Sequence, residues 1–453
     1  MNDRHELLSG WGNTAASEAQ VTQPRSDDEV AKALRAGPVI ARGLGRSYGD
    51  PAQSSGGTVL LNRNLWHLSA IEPATGLVTV GAGVSLDELV SVSIPAGFFV
   101  PVTPGTRQVT IGGAIAADIH GKNHHVDGSF AQQVVSMDLV TPSGPVTVTP
   151  TSDSDLFWAT AGGMGLTGVI TQATIKMLPI ESSWVSVDTQ RFENLDGVME
   201  AMATGDHLYR YSVAWVDCMT TGARLGRGVL TRGDHVGEDR LSGRAARNPL
   251  APPSGTKLTV PFTPPSGLLN RLSISAFNEA WFRKAPKKRD NELHSLQSFF
   301  HPLDGVAWWN RLHGTRGFLQ YQFAVDDAHG ELVRQAIEVL AGAQVPSFLA
   351  VLKRFGPADP GPLSFPIEGW TLALDIPVGP PQLPAVLDQL DLMVNEAGGR
   401  LYLAKDSRLS PELFATMYPR LPEFQEVCSR VDPEGVLASD LSRRLKITNS
   451  NPS

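Results

Sequence analysis

From Val21 to Leu178, apolar and polar positions alternate in short runs broken by glycine. GTVLL (57–61), LVTVGAG (77–83), VVSMDLVTPSGPVTVTP (134–150) and GVITQATIKML (168–178) read as strands. Apolar and β-branched side chains at a period near two suit a half-buried pleated surface. Two stretches here switch to a helical pattern, Asp27 to Leu34 and Ser85 to Val92. Ser85 is a candidate N-cap, with Glu88 three residues on, as in a capping box. From about Ser183 the strands lengthen, as in LYRYSVAWVD (208–217) and GFLQYQFAV (317–325), and helical patterns cover 328–340 and 384–397. This region predicts an antiparallel sheet with covering helices. Within it, Asn248 to Leu269 is rich in Pro, Gly, Ser and Thr and reads as an exposed loop, part of a mobile stretch of about 246–290. A lid and a plain insertion fit that loop equally well. No internal repeat is evident. The expected fold class is α+β, with one domain from 1–180 completed by 400–453 and a second from 181–399.

Three glycine-rich loops interrupt the first region, each beside a strand-like run. They are ARGLGRSYGD (41–50), the first part of PGTRQVTIGGAIAADIHGKNHH (104–125), and AGGMGLTGVI (161–170). Glycine takes positive φ without steric penalty. Successive N–H groups in such turns can converge on an anion and suit a diphosphate. Any one loop is as readily a tight turn as a ligand site. Three together point to a dinucleotide. A Rossmann site is excluded, because Gly43, Gly45 and Gly49 have the wrong spacing and Pro51 falls where the helix should grow. Gly162 to Gly168 lacks the Gly-Lys-Ser/Thr of a P-loop. The second loop runs straight into His120, Lys122, His124 and His125. Zinc is disfavoured there: Gly121 and Asn123 disrupt the helical spacing of His120 and His124, and no Cys or His-Glu-x-x-His completes a ligand set. His124 and His125 then read as hydrogen-bonding groups that hold the loop.

Composition narrows the class without choosing a function. The 453 residues suffice for two or three domains, and a net charge of −8 argues against nucleic acid as a partner. Cys218 and Cys428 make no disulfide framework and read as buried thiols. MNDRHELLSGWGN carries no apolar signal-peptide core, and no run of about 18 apolar residues appears, so a cytoplasmic protein is expected.

The three loops resemble the FAD-binding domain of the vanillyl-alcohol-oxidase-like flavoproteins. Nearly the whole chain resembles the decaprenylphosphoryl-β-D-ribose 2-oxidase family within that group. The match lies in RGLGRSYGD, PGTRQVTIGGAIAADIHGKNHH, FLQYQF (318–323), LSFPIEGW (363–370), AKDSR (404–408) and VDPEGVLASDLSRRL (431–445). The resemblance implies a two-domain FAD enzyme that oxidises the ribose 2-hydroxyl of a polyprenylphosphoryl ribose to a 2-keto sugar. That is the first half of an epimerisation supplying arabinose for actinobacterial cell-wall arabinan. It further implies an NADH-dependent keto-reductase partner subunit, a quinone or oxygen as electron acceptor, and peripheral contact with a membrane or the cell envelope.

Site residues follow from the same resemblance. Arg42, Gly43, Leu44, Gly45, Arg46, Ser47 and Tyr48 are implied around the FAD diphosphate, with Pro104, Gly105, Thr106, Gly112, Gly113, Ala116 and Ala117 opposite. Ile119, His120 and Gly121 border the isoalloxazine, with Ile170 and Tyr402 also at the cofactor. Lys405, His120, Lys122 and Gln322 are implied as catalytic. Tyr48, Lys122, Phe300, Gln320, Gln322, Lys353, Thr371, Ala373 and Lys405 are implied in the substrate pocket. Three lysines there suit a phosphate-bearing sugar and charge on a reduced flavin. By spacing alone, Gln320 and Gln322 share one face of a strand, turned to a pocket or to solvent. Where many relatives carry a flavin-linked histidine, this chain reads Gly43-Leu44-Gly45-Arg46-Ser47. Arginine cannot form that bond, so a dissociable FAD is expected, with His120 an alternative point of attachment.

Several positions depart from the family. Trp370-Thr371-Leu372-Ala373 stands where mycobacterial members have Trp-Asn-x-Cys, so the cysteine modified by nitroaromatic inhibitors is missing. Phe300 replaces a pocket tyrosine and Val213 a pocket serine. Two rival readings stay open: an alditol or aldonolactone oxidase of a soluble sugar, and a flavin-binding partner protein without catalysis.

Overall fold

The alternating runs of the first region fold into two four-stranded sheets. In the computed structural model, which describes residues 4–252, 255 and 258–448, one sheet has the order Arg4–Ser9, Ala16–Thr22, Thr58–Leu61, Val39–Arg42. Its first pair is antiparallel and the other two are parallel. The second sheet is antiparallel throughout, in the order Leu77–Gly81, Val169–Lys176, Val134–Thr141, Gly144–Val148. Helix Asp27–Leu34 turns Val30, Ala33 and Leu34 inward, where they share a cluster with Leu60 and Val140. Helix Leu86–Ser93 starts at the expected capping box: Ser85 Oγ accepts from Glu88 N at 3.2 Å, and Glu88 Oε2 accepts from Ser85 N at 2.7 Å.

The second region forms one antiparallel sheet of eight strands. Its order is Lys288–Ser295, Trp184–Phe192, Gly228–His235, Tyr211–Val216, Ala350–Phe355, Gly369–Pro377, Phe318–Asp326, Arg400–Leu401. Helices Glu331–Gly342 and Leu383–Glu396 cover it, burying Val333, Ile337, Leu387 and Leu390 among others. The first begins at Glu331 because a 3-10 turn capped by Asp326 occupies Asp327–His329. The register sets the functional face. Gln320 pairs with Asp375, Gln322 with Ala373, Val351 with Ala373, and Lys353 with Thr371. Alternation puts all seven of these side chains on one side of three adjacent strands.

The stretch 246–290 is not one loop. Arg271–Lys284 is a helix, capped by Asn270, whose side chain accepts from Leu272 N and Ser273 N. Its Ile274, Asn278 and Phe282 are buried. Helix-breaking composition ends near Gly267, and an N-cap with an i, i+4, i+8 buried row takes over. Leu258–Thr259 adds a short parallel pair with Val306–Ala307. Of the expected loop, Pro253, Ser254, Thr256 and Lys257 lie outside the described residues.

The C-terminal segment returns to the first loop. Val39 bridges to Leu437, Tyr48 N donates to Ala404 O at 2.9 Å, and Arg444 binds both Asp50 and Asp406 at 2.9 Å. Among the described residues, no helix is long and apolar enough to cross a membrane.

Candidate active site

The three glycine loops meet at a single cavity of about 540 Å³, closed on its other side by the eight-stranded sheet. They are tied to each other directly. At Gly43 an added Cβ would sit 2.1 Å from Thr110 Oγ1, so the first loop lies flat on the second. Gly162 N and Met164 N of the third loop donate to Ile115 O and Ala116 O of the short helix Ile111–Ala116. Gly45 holds a φ of +63° and Gly165 of +81°, a region that favours glycine. Asp304, on the 3-10 turn Pro302–Gly305, clamps the second loop, accepting from Thr106 Oγ1 at 2.6 Å and Arg107 N at 2.8 Å.

Arg42 to Tyr48, Pro104, Gly105, Thr106, Gly112, Gly113, Ala116, Ala117, Ile119, His120, Ile170 and Tyr402 all line this cavity, as do Gln320, Gln322, Lys353, Ala373 and Lys405. Five expected site residues do not. Gly121 is buried behind the wall, where a Cβ would meet Asn123 Oδ1 at 2.6 Å; its carbonyl instead faces Lys353 Nζ at 3.3 Å. Lys122 Nζ donates to Phe299 O and lies 4.1 Å from the Phe299 ring centre. Phe300 packs on Phe99, Tyr211 and Phe299 in the core. Thr371 is fully buried and reaches the cavity only through Gln322. Val213 is likewise absent from the lining. Val213 and Thr371 lie on strands, Phe300 ends the helix Leu296–Phe300, and Gly121 and Lys122 lie on the loop before His124, so packing in front of each side chain sets its depth.

Other lining residues carried no signal in the sequence. Trp11, Trp308 and Trp309 form an aromatic group at the cavity, with the Arg46 guanidinium 3.9 Å from the Trp11 ring centre. Asp375 is fully buried and not itself on the lining; its carboxylate accepts from Gln320 Nε2, which is. Period-two reading from Ala373 would have found Asp375, and from Lys353 would have found Val351. The tryptophans offer no such periodicity.

The electrostatics are those of a dry site. Burial pulls Lys405 down to about 8, opposed by Asp375. Burial pushes Asp375 up to about 7, opposed by Gln320 and Lys405. Lys353 falls well below the usual amine range, first through burial and then through Lys405 and Lys122. His120 lies well below the usual imidazole range, chiefly through burial, with any charge on Lys353 or Lys405 acting in the same direction. Its ring lies among Phe355, Phe365 and Tyr402, 4.8 to 5.9 Å between centres. Lys353 Nζ lies 2.8 Å from His120 Nδ1 and Gln322 Nε2 3.1 Å from His120 Nε2. His124 Nδ1 accepts from Gly356 N, and His125 Nε2 lies 3.0 Å from Tyr209 O, so both tie the loop to its surroundings. Among the described residues no three His, Cys, Asp or Glu side chains converge as a metal site.

A flavin dinucleotide fits this wall. Around Gly105 an added Cβ would meet nothing within 4 Å, so the backbone is open to a ligand. Gln320 Oε1 and Gln322 Oε1 are buried without a protein donor, which a bound heterocycle or sugar can supply. The comparisons with known proteins agree. Residues 19–149 match a family of FAD binding domains, and 382–445 match the D-arabinono-1,4-lactone oxidase family. The chain is 45% identical to a decaprenylphosphoryl-β-D-ribose oxidase of Mycolicibacterium smegmatis over 449 residues, 97% of each chain. The protein belongs to the decaprenylphosphoryl-β-D-ribose oxidase family of FAD-linked oxidases. It is an FAD-dependent oxidoreductase. It is also 39% identical to an uncharacterized protein in the mprA 5′ region of Streptomyces coelicolor, over 80% of this chain and all of that one. A D-arabinono-1,4-lactone oxidase of Eremothecium gossypii is 26% identical over 50% of this chain and 44% of its own length.

Two expectations follow for this family member. Gly105→Leu places its side chain in ligand space without a backbone clash. Flavin affinity should fall at least about tenfold, with melting temperature of the flavin-free protein close to the parent's; fluorescence titration measures it. Ala373→Cys puts a thiol on the cavity wall, whereas Cys218 and Cys428 are both buried and absent from the lining. Mass spectrometry after a small thiol reagent should show one cavity adduct in the variant and none at that strand in the parent.

Proposed function

We propose that the protein oxidises the ribose 2-hydroxyl of a polyprenylphosphoryl-β-D-ribose to the 2-keto sugar. The observation that carries this reading is the 45% identity across 97% of the chain to an oxidase named for that substrate. The polar face at Gln320, Gln322, Lys353 and Lys405 supports it. Residues 1–180 with 400–453 would form the cofactor side and 181–399 the substrate side. Arg42 to Tyr48 and the loops at Gly105 and Met164 would hold FAD, which when bound would supply a hydride acceptor. With Arg46 stacked on Trp11, that loop offers no histidine for a covalent flavin bond, so the cofactor is dissociable. Lys405 lies where it can receive the sugar phosphate or orient the carbinol, and its placement out of water strengthens either contact. Tyr48 and Ala373 bound the pocket. A partner reductase using NADH would complete the epimerisation, and a quinone or oxygen would reoxidise the flavin.

The lipid reaches the site from a surface. Leu258, Phe262 and Leu268 are exposed, and Leu258 lies on the short strand paired with Val306–Ala307, which lines the cavity. Such an apolar surface beside a cavity suits a prenyl chain or a bilayer face. The match of 382–445 to a lactone oxidase family favours one second reading, oxidation of a soluble aldonolactone.

Anaerobic bleaching of the flavin decides between them. Polyprenylphosphoryl ribose should bleach it, and free alditols or lactones should not; the reverse pattern establishes the second reading. Lys405→Ala should keep its flavin and slow bleaching by at least about a hundredfold, since it removes a buried charge at the reacting end. Full activity in that variant removes Lys405 from the reaction. Phe262→Ser with Leu268→Ser should raise KM for a long-chain substrate several-fold and leave a short-chain analogue unchanged. Equal effects on both analogues would move the lipid path elsewhere.

A further inference from the structure

Hydrogen bonds along the cavity face, followed outward from the Thr371 hydroxyl, assign the protons. The Thr371 hydroxyl, fully buried, donates its single proton to Phe323 O at 2.8 Å. It therefore meets Gln322 only as an acceptor, which turns the Gln322 amide nitrogen toward it at 2.9 Å. The second N–H of that amide points to His120 Nε2 at 3.1 Å. His120 Nε2 is thus an acceptor and carries no hydrogen, so the neutral ring has its hydrogen on Nδ1. Nδ1 faces Lys353 Nζ at 2.8 Å. Two donors cannot share that contact. An ammonium has no lone pair, so Nζ accepts as an amine and sends one of its own N–H bonds to Gly121 O at 3.3 Å.

We propose that Lys353 stands at the cavity wall as a neutral amine and is the base that takes the hydroxyl proton of the substrate. This rests on the oxidation proposed above. The carbinol O–H bond breaks and its proton joins the Nζ lone pair. The oxygen electrons form the carbonyl, and the C–H pair leaves as hydride to the bound flavin. Lys353 ends as an ammonium beside the keto sugar, and the charge shed by the substrate is balanced on the protein. Burial, then Lys405 and Lys122, lower its proton affinity, the direction that the hydrogen-bond count requires. His120, His124, Lys122 and Lys405 are the titratable groups that bear on it. Of these, His120 holds the amine in place. Thr371 is a positioning residue, acting through Gln322 and His120.

Nitrogen NMR of the flavin-bound protein labelled with ¹⁵N-histidine tests the proton arrangement directly. The His120 signals, assigned by their loss in His120→Asn, should show a protonated Nδ1 and a bare Nε2 at neutral pH. A protonated Nε2, or an imidazolium, overturns the proposal. Thr371→Val removes the acceptor that orients Gln322 and should shift this pattern, with Thr371→Ser restoring it. Lys353→Gln and Lys353→Arg should retain flavin and lower its reduction rate by polyprenylphosphoryl ribose at least about a hundredfold, the usual share of a general base. Reduction by Lys353→Gln at nearly the parent rate overturns the proposal. Should the parent itself not be reduced by this sugar, the substrate reading fails, and the histidine pattern still decides the state of Lys353.

Discussion

Withdrawal of ionisable groups from water is the constraint on which this site depends. Three adjacent strands turn Gln320, Gln322, Lys353, Thr371 and Asp375 to one side, all nearly or fully buried. In such surroundings an isolated charge is expensive, so each group must be paired, hydrogen-bonded or neutral. The chain uses all three solutions. Asp375 takes a hydrogen bond from Gln320 and feels Lys405 nearby. Gln322 bridges Thr371 and His120. Lys353 sits against an imidazole with no counter-charge, the arrangement under which an amine loses its proton most readily.

The other wall follows from close backbone approach. Gly43 presses on Thr110, the third loop bonds to the helix that the second loop starts, and Asp304 holds Thr106 and Arg107 from across the cavity. This wall is built by main-chain approach, and the polar side chains Gln320, Gln322 and Lys353 of the cavity come from the sheet. Family membership and local geometry thus agree on a flavin, although among the described residues no Rossmann helix follows the first glycine loop.

Much of this was legible before any coordinates, for reasons that differ by residue. Glycine loops are visible because few other residues tolerate their backbone, and Ser85 with Glu88 because capping chemistry is local. Gln320 and Gln322 shared a face by spacing, but only neighbouring strands could say that the face was a cavity. Lys122, Gly121, Phe300 and Thr371 lie outside the cavity lining. Family motifs assign residues to a region, whereas the depth of a side chain depends on what packs in front of it. Lys122 is drawn back by Phe299 O, and Phe300 by the aromatic core. Helix Arg271–Lys284 was hidden by the proline-rich stretch before it. Trp11 is distant in the chain from the neighbouring Trp308 and Trp309 and meets them only in three dimensions.

Arg444 joins Asp50 and Asp406, so the first glycine loop is braced by helix Asp440–Leu445. Val39 is likewise bridged to Leu437. A chain still on the ribosome therefore lacks a finished cradle until Arg444 has emerged. Asp50 and Arg444 are 394 positions apart, so the loop is braced only when distant stretches of the polypeptide close on each other.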